Sequence, residues 1–225
     1  MQLPSLKNSF VALSFIALTS LTACSPSSQA QNQDPKPTTN SSNQPQMNHG
    51  GGMNHHMNMD LGPADANYDL RFIDAMMMHH QGAVDMANVA LQKSQRPEIK
   101  KLAANIIKSQ KQEISQMQQW RTAWYPNVGN QPMAYHTQMG HMMEMTPEQK
   151  QAMMMSMDLG KADGEFDLRF INAMIPHHEG AVVMAKDALN KSQHSEIKKL
   201  SQAIIQAQAA EIQQMQQWRK AWYNQ

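Results

Sequence analysis

Residues 76–86 read MMMHHQGAVDM, and residues 174–184 read MIPHHEGAVVM. The two stretches belong to a longer duplication, in which residues 57–125 align with residues 155–223 without a gap (155 − 57 = 98). A duplication of this length indicates two copies of one supersecondary unit, and stacking such units buries their apolar faces against each other.

Each copy has the apolar spacing of two helices. From about Asp65 to Lys93, apolar residues recur at i, i+3, i+4 and i+7, which predicts an amphipathic helix. The pattern breaks before Pro97, and proline suits the first turn of a following helix. Neither hairpin can bury its stripe alone. The sequence therefore predicts an all-α fold, an antiparallel four-helix bundle made from two duplicated helical hairpins.

The chain outside the hairpins has a different composition. The predicted organisation is a signal peptide at 1–23, a disordered tether at 24–46, a flexible Met/His-rich segment at 47–59, the first hairpin at 57–125, a Met-rich linker with a short helix at 126–156, and the second hairpin at 155–223. The tether has almost no apolar residues to offset its ordering entropy. Within the linker, residues 126–140 are predicted to be a loop, and Thr146-Pro147 has the signature of a helix start.

The N-terminus has the features of an export signal. Lys7 precedes a short apolar run that is too short for a comfortable membrane span. Residues 21–24, Leu-Thr-Ala-Cys, resemble the bacterial lipobox, which implies cleavage before Cys24 and a lipid on that cysteine. Cleavage by the ordinary signal peptidase is the alternative. Both predict a mature protein in the periplasm or cell envelope, attached to a membrane only through the lipid.

The composition excludes several classes of function. The chain has 19 Lys and Arg against 18 Asp and Glu, so it lacks the basic footprint of a nucleic-acid-binding protein. Its single cysteine rules out an internal disulfide. That cysteine, Cys24, lies in the predicted export signal, so no usable thiolate remains for a structural zinc site or a type-1 copper centre. The 22 methionines and 10 histidines are far more than core packing needs.

Thioethers together with imidazoles indicate a site for soft metal ions. Residues three or four apart on a helix are neighbours, so they can chelate one ion. Such donors suit Cu(I), with Ag(I) as a surrogate, and histidine also accepts Cu(II). The candidate ligands on the helices are Met76, His79, His80 and Met86, and in the second copy Met174, His177, His178 and Met184. Those in the flexible segments are His49, Met53, His55, His56, Met57, Met59, His136, Met139, His141, Met142 and Met143.

The two histidines of each doublet should face different ways. Successive helix residues diverge by about 100°, so we expect one of them in the core and the other at its edge. Pro176, which replaces Met78, should kink the second helix and make the two sites differ. Asp69 and Glu113 also fall on apolar faces, and we expect them to pair with Arg71 or Arg121 rather than to bind metal.

The motif Asp-Leu-Arg-Phe-Ile-x-Ala-Met-x-x-His-His-x-Gly-Ala-x-x-Met-Ala, beginning at Asp69 and Asp167, resembles a family of exported bacterial proteins. This family is rich in methionine and histidine, is labelled a domain of unknown function, and includes a cyanobacterial periplasmic copper-binding member. The resemblance covers residues 57–223. It implies a ferritin-like fold and copper binding through Met and His rather than catalysis.

The sequence thus predicts a copper-binding envelope protein that buffers copper, gives copper resistance, or relays the ion to an efflux or sensor protein. Two alternatives stay open. One is a Met-rich oxidant sink or metal-dependent redox enzyme of the cell envelope. The other is a structural lipoprotein whose methionines are incidental.

Overall fold

A computed structural model describes residues 60–225, and nearly all of its regular structure is helical. Its elements are α1 (Tyr68–Lys93), α2 (Pro97–Trp124), β1 (Met133–His136), β2 (His141–Glu144), α3 (Pro147–Met154), α4 (Phe166–Lys191) and α5 (Ser195–Tyr223). The predicted signal peptide, Cys24, the tether and the ligands at 47–59 lie outside the described residues. No helix in residues 60–225 is long and apolar enough to cross a membrane.

Each copy of the repeat contains two of the long helices. Helix α2 packs on α1, α5 packs on α4, and the copies meet mainly where α1 packs on α4. These two helices run antiparallel, because the end of each lies beside the start of the other. Lys93, at the end of α1, donates to the Gly160 carbonyl at 2.6 Å, and Lys191, at the end of α4, donates to the Gly62 carbonyl at 2.9 Å.

Equivalent residues of the two copies make equivalent contacts. Arg96 lies 3.6 Å from the Asp167 carboxylate and covers the ring of Trp222 at 4.2 Å. At the corresponding position, the His194 imidazole lies 2.7 Å from Asp69 and stacks on Trp124, with ring centroids 3.9 Å apart. The molecule therefore has a pseudo-two-fold axis through the α1–α4 contact. Asp69 pairs with His194 rather than with the predicted Arg71 or Arg121.

The linker forms a β-hairpin where a loop was expected. Strands β1 and β2 are antiparallel, with His136 opposite His141. The strand residues, MAYH and HMME, lack β-branched side chains and clear alternation, so the local pattern gives no strand signal. A contact with α1 holds the hairpin instead: the Asp74 carboxylate accepts a hydrogen bond from the Met133 amide at 2.9 Å.

Two predicted helix starts can be compared with the structure. Thr146 caps α3 with a complete capping box: Thr146 accepts from the Gln149 amide, and the Gln149 side chain accepts from the Thr146 amide. Helix α1 begins at Tyr68 rather than near Asp65. The Asp65 carboxylate instead accepts from the Asn67 amide and from Arg71, which holds residues 65–67 in a turn. Helix α4 continues through Pro176.

The Asp74–Arg121 pair should contribute strongly to stability. The Arg121 Nε donates to Asp74 at 2.6 Å, and its Nη2 donates to the carbonyls of Gly129 and Gln131. Burial raises the pKa of Asp74, and the hydrogen bond from Arg121 opposes that rise. We predict that Arg121→Gln lowers the free energy of unfolding by about 3 kcal/mol, because it leaves a buried carboxylate without its partner.

The second copy supplies the control for this prediction. Its equivalent pair is Arg219 with the neutral Asn172, at 3.3 Å and exposed, so Arg219→Gln should cost less than about 1 kcal/mol. Urea unfolding of both variants measures the difference. Equal costs would show that the Asp74 pair does not hold the hairpin and α1 together.

Candidate metal centre

Four buried histidines lie near the pseudo-two-fold axis. His79 and His80 of α1 are each 0 % exposed, His177 of α4 is 1 % exposed and His178 is 0 % exposed. The rings of His79 and His177 are in contact, with centroids 3.9 Å apart and planes tilted by 49°. Because these two residues are equivalent in the two copies, they meet on the axis itself.

The expectation that one histidine of each doublet lies at the edge is wrong. Both are buried because α1 and α4 are each covered by two neighbouring helices. The divergence of about 100° directs His79 toward α4 and His80 toward α2, where its Nε2 lies 2.6 Å from the Glu113 carboxylate. His178 makes the same contact with Glu211 on α5, at 2.7 Å. Glu113 is thus paired with a histidine, not with arginine.

The contacting imidazoles have few hydrogen-bond partners. Among the described residues, neither ring nitrogen of His79 has a partner, and His177 uses only Nε2, which lies 3.1 Å from the Met154 carbonyl. A buried polar group without a partner costs about 1–3 kcal/mol. Nδ1 of His80 and Nδ1 of His178 are unpartnered in the same way. Buried polar groups of a native structure are rarely left in this state, so these nitrogens require a specific explanation.

Both contacting histidines are held neutral. Burial lowers the pKa of His79 well below its usual range, and the neighbouring histidines lower it further. Burial lowers the pKa of His177 to about 3, assisted by His178 and opposed by the Met154 carbonyl. Neutral imidazole is the form that binds a metal ion, so these side chains are ready to act as ligands well below neutral pH.

Buried thioethers lie on both sides of the histidines, in an arrangement that mixes the two copies. Met76 belongs to the same core cluster as Met184 of the other copy, together with Met117. Met174 belongs with Met86 and Met215 in the second cluster. Antiparallel packing brings the end of each motif to the start of the other, so Met76 and Met86 of one copy lie in different core clusters, each with a methionine of the other copy.

Met117 and Met215 were not predicted as site residues. They lie four residues after Glu113 and Glu211, the glutamates that contact the histidines, and both are 0 % exposed. The sequence signal was the helical face that they share with those glutamates. Gln110 and Gln208, one turn earlier, are also buried and leave their side-chain oxygens unpartnered among residues 60–225.

The short helix α3 covers the histidine pair on one side. The Met154 carbonyl that contacts His177 also lies against Gly82, where an added Cβ would clash with it. Half-buried thioethers surround this point on α1 and at the end of α3: Met77, Met78, Met153, Met154 and Met155. Pro176, the equivalent of Met78 in the second copy, is exposed and carries no thioether, so the surroundings of His177 on α4 differ from those of His79 on α1.

The linker ligands lie apart from this centre, in the hairpin and its turn. Met139 is 59 % and Met143 is 39 % exposed, and His141 is also exposed. No group of three or more His, Cys, Asp or Glu side chains within residues 60–225 is spaced to hold a metal ion.

Comparison with known proteins agrees with the predicted resemblance. The family model for DUF305, a domain of unknown function, matches residues 69–219. The chain belongs to this family. A search of curated protein sequences gives no significant match.

Solved structures extend the likeness to individual proteins. CopM in its Cu(II)-bound form is 42 % identical, with a TM-score of 0.55, over 69 % of this chain and 97 % of that one. CopM in its Cu(I)-bound form is 38 % identical, with a TM-score of 0.53 and the same coverage. A DUF305 fragment from Deinococcus radiodurans is 28 % identical, with a TM-score of 0.53, over 69 % of this chain and 96 % of that one. The predicted resemblance to this family and to its copper-binding member is confirmed.

The lowered pKa values predict an acid-sensitive fold. Between pH 6.5 and the folded-state pKa, the unfolded chain binds protons that the folded chain does not. The contribution of His177 to stability is therefore complete above about pH 6.5 and is lost as the pH falls toward 3. Between pH 6.5 and pH 4 this loss is roughly 3 kcal/mol.

Urea unfolding at several pH values measures this effect. The double variant His79→Gln, His177→Gln should show a clearly flatter decline than the unmodified protein, whereas His141→Gln, at an exposed position, should not change the slope. The same decline in the double variant would show that the pair is not the origin of the acid sensitivity.

Proposed function

We propose that this protein binds copper in the bacterial cell envelope, as Cu(I) and also Cu(II), and buffers the ion or relays it. The observation that carries the proposal is the contacting His79–His177 pair, which is buried and has unpartnered ring nitrogens. Burying such groups costs free energy that a bound ion would recover. The binding of Cu(I), Cu(II) and silver by CopM supports this choice of metal.

The site would combine two imidazoles with thioethers. Soft sulfur ligands favour Cu(I), and imidazole accepts either valence of copper. His79 and His177 would bind through their free nitrogens. Met76 and Met174, which precede them by three residues, are the thioethers that lie on the same helical face as these histidines. The Nε2 atoms of His80 and His178 already contact glutamates. These two histidines would bind the ion only if their rings turned Nδ1 toward it, and would otherwise neighbour the site without binding.

The ion would reach the pair through α3. The rings are in contact and fully buried, so they must turn apart to admit an ion. The half-buried thioethers of α1 and α3 offer weak sites along the way, and displacing the Met154 carbonyl would free Nε2 of His177. We propose that this route makes transfer faster than release from a single closed site would be.

The proposal extends to the rest of the molecule. We propose that the four long helices act as an antiparallel bundle that holds the pair rigid, and that the chain is exported by its N-terminal signal. A lipid on Cys24 would tether it to a membrane, and an efflux or sensor protein would receive the ion. The function proposed is binding, not catalysis.

An anaerobic Cu(I) titration of the mature chain against a competing chelator tests the proposal. We expect the double variant His79→Gln, His177→Gln to bind copper at its tightest site at least about 100-fold more weakly. Loss of a group that only hydrogen-bonds a metal ligand costs about 10–100-fold in affinity, and loss of the ligands themselves should cost more. The matched control is Met145→Leu, a volume-conserving change at a buried thioether that no proposed site uses.

The outcomes also separate the other classes of function. Undiminished affinity in the double variant would contradict the proposed site. An oxidant sink or redox enzyme predicts turnover of peroxide or oxygen by the copper-loaded protein, and binding predicts none. A structural lipoprotein predicts no rise in melting temperature on adding Ag(I), whereas binding to the folded state must raise it.

A further inference from the structure

The hairpin of the linker brings together donors that the sequence leaves scattered. His136 is directly opposite His141, and Ala134 is opposite Met143. Side chains of a cross-strand pair share one face, with Cβ atoms about 4.5–5.5 Å apart, and diagonal neighbours are about 7–8 Å apart. His136, His141 and Met143 therefore lie on the same face within reach of one ion, although the turn separates them in sequence.

The neighbouring Met142 lies on the opposite face. It is paired with Tyr135. The Tyr135 ring lies against Gly62, and the Arg71 guanidinium carbon lies 5.3 Å from the centroid of this ring. Met142 is half-buried and Met143 is 39 % exposed, which agrees with the alternation of a strand. The sequence named both methionines as ligands, and the register keeps only Met143 beside the histidines.

Hydrogen bonds already orient the two imidazoles. Nδ1 of His141 lies 3.1 Å from the Met139 carbonyl. A carbonyl only accepts, so this nitrogen donates its proton, and Nε2 is left with a free lone pair, as in most metal-binding histidines. Nδ1 of His136 accepts the Met139 amide at 3.3 Å, but that amide also donates to the His136 carbonyl at 3.2 Å. The amide therefore keeps a partner when the His136 ring turns.

We propose that His136, His141 and Met143 form a second copper site, separate from the buried pair. It lies nearer the surface, since His136 is half-buried and His141 and Met143 are exposed. The two imidazoles would bind Cu(II) with water in the remaining positions, and Met143 would add the soft ligand that holds Cu(I). The exposed thioether of Met139 lies in the same turn. The proposal deepens the proposed function, since it names where copper from outside would first bind to the described part of the chain.

Residue-resolved NMR of the full mature chain tests this site without interference from other histidines. Substoichiometric Cu(II) broadens the ring signals of the histidines that bind it. We expect the signals of His136 and His141 to broaden together, and each of His136→Gln and His141→Gln to weaken binding, measured at the remaining ring, by at least about tenfold. The control is Thr137→Ala in the same turn. Broadening that spares these two rings would overturn the proposal.

The soft ligand is tested with Ag(I), which is diamagnetic, by following shifts of the same ring signals. Met143→Leu should weaken Ag(I) binding at the hairpin by at least about tenfold, and Met142→Leu should leave it unchanged. Equal effects of the two substitutions would overturn the assignment of Met143. Unchanged amide signals of β1 and β2 in every metal-free variant show that the hairpin remains folded.

The same measurements in the His79→Gln, His177→Gln background separate the two proposals. A hairpin site that persists there is independent of the buried pair, as proposed. A hairpin response that disappears with the pair would overturn it as a separate site. If the unmodified protein binds copper at the hairpin but shows no tighter site, the proposed function of the buried pair fails and the hairpin site stands.

Discussion

The packing of α1 against α4 is the contact on which the rest of the structure depends. It joins the two copies around a pseudo-two-fold axis, and every residue at that axis must pack against its own equivalent. An apolar side chain would meet this requirement without cost. The protein has His79 against His177 instead, fully buried and with three of the four ring nitrogens left without a partner among the described residues. Such a cost at the centre of the fold is understandable if the contact also serves a ligand.

Because of the duplication, both copies contribute equivalent residues to the centre. Each copy contributes one imidazole to the axis and a second that contacts a glutamate of its own hairpin. Its thioethers lie in core clusters shared with those of the other copy. The copies are not identical, however. The linker lies on one side, held by Asp74 and Arg121, whose equivalents are Asn172 and Arg219. The linker thus covers the pseudo-symmetric helices on one side only. Of the two paired rings, only His177 contacts the Met154 carbonyl.

Much of this could be predicted from the sequence, for clear physical reasons. Helical periodicity, Pro97 and the capping box at Thr146 are local signals, and they give the helices closely. The duplication and the His-His motif also identified the family. Contacts between copies could not be predicted, because the direction in which α1 and α4 cross is not encoded in either one. That crossing buries both histidines of each doublet. It also places Met184 rather than Met86 in the core cluster of Met76, and it brings His194 to the Asp69 carboxylate. The hairpin was missed because its anchor, Asp74, is 59 residues away from Met133.

A crystal structure of the mature protein with one equivalent of Ag(I) bound tests most directly whether copper-like ions use the axis. The anomalous signal of silver locates the ion independently of the surrounding side chains. We predict a peak between α1 and α4, within bonding distance of a ring nitrogen of His79 and of His177, with the two rings turned apart. Silver found only at other positions, with the two rings still in contact, would contradict the proposal that the pair exists to hold a metal ion.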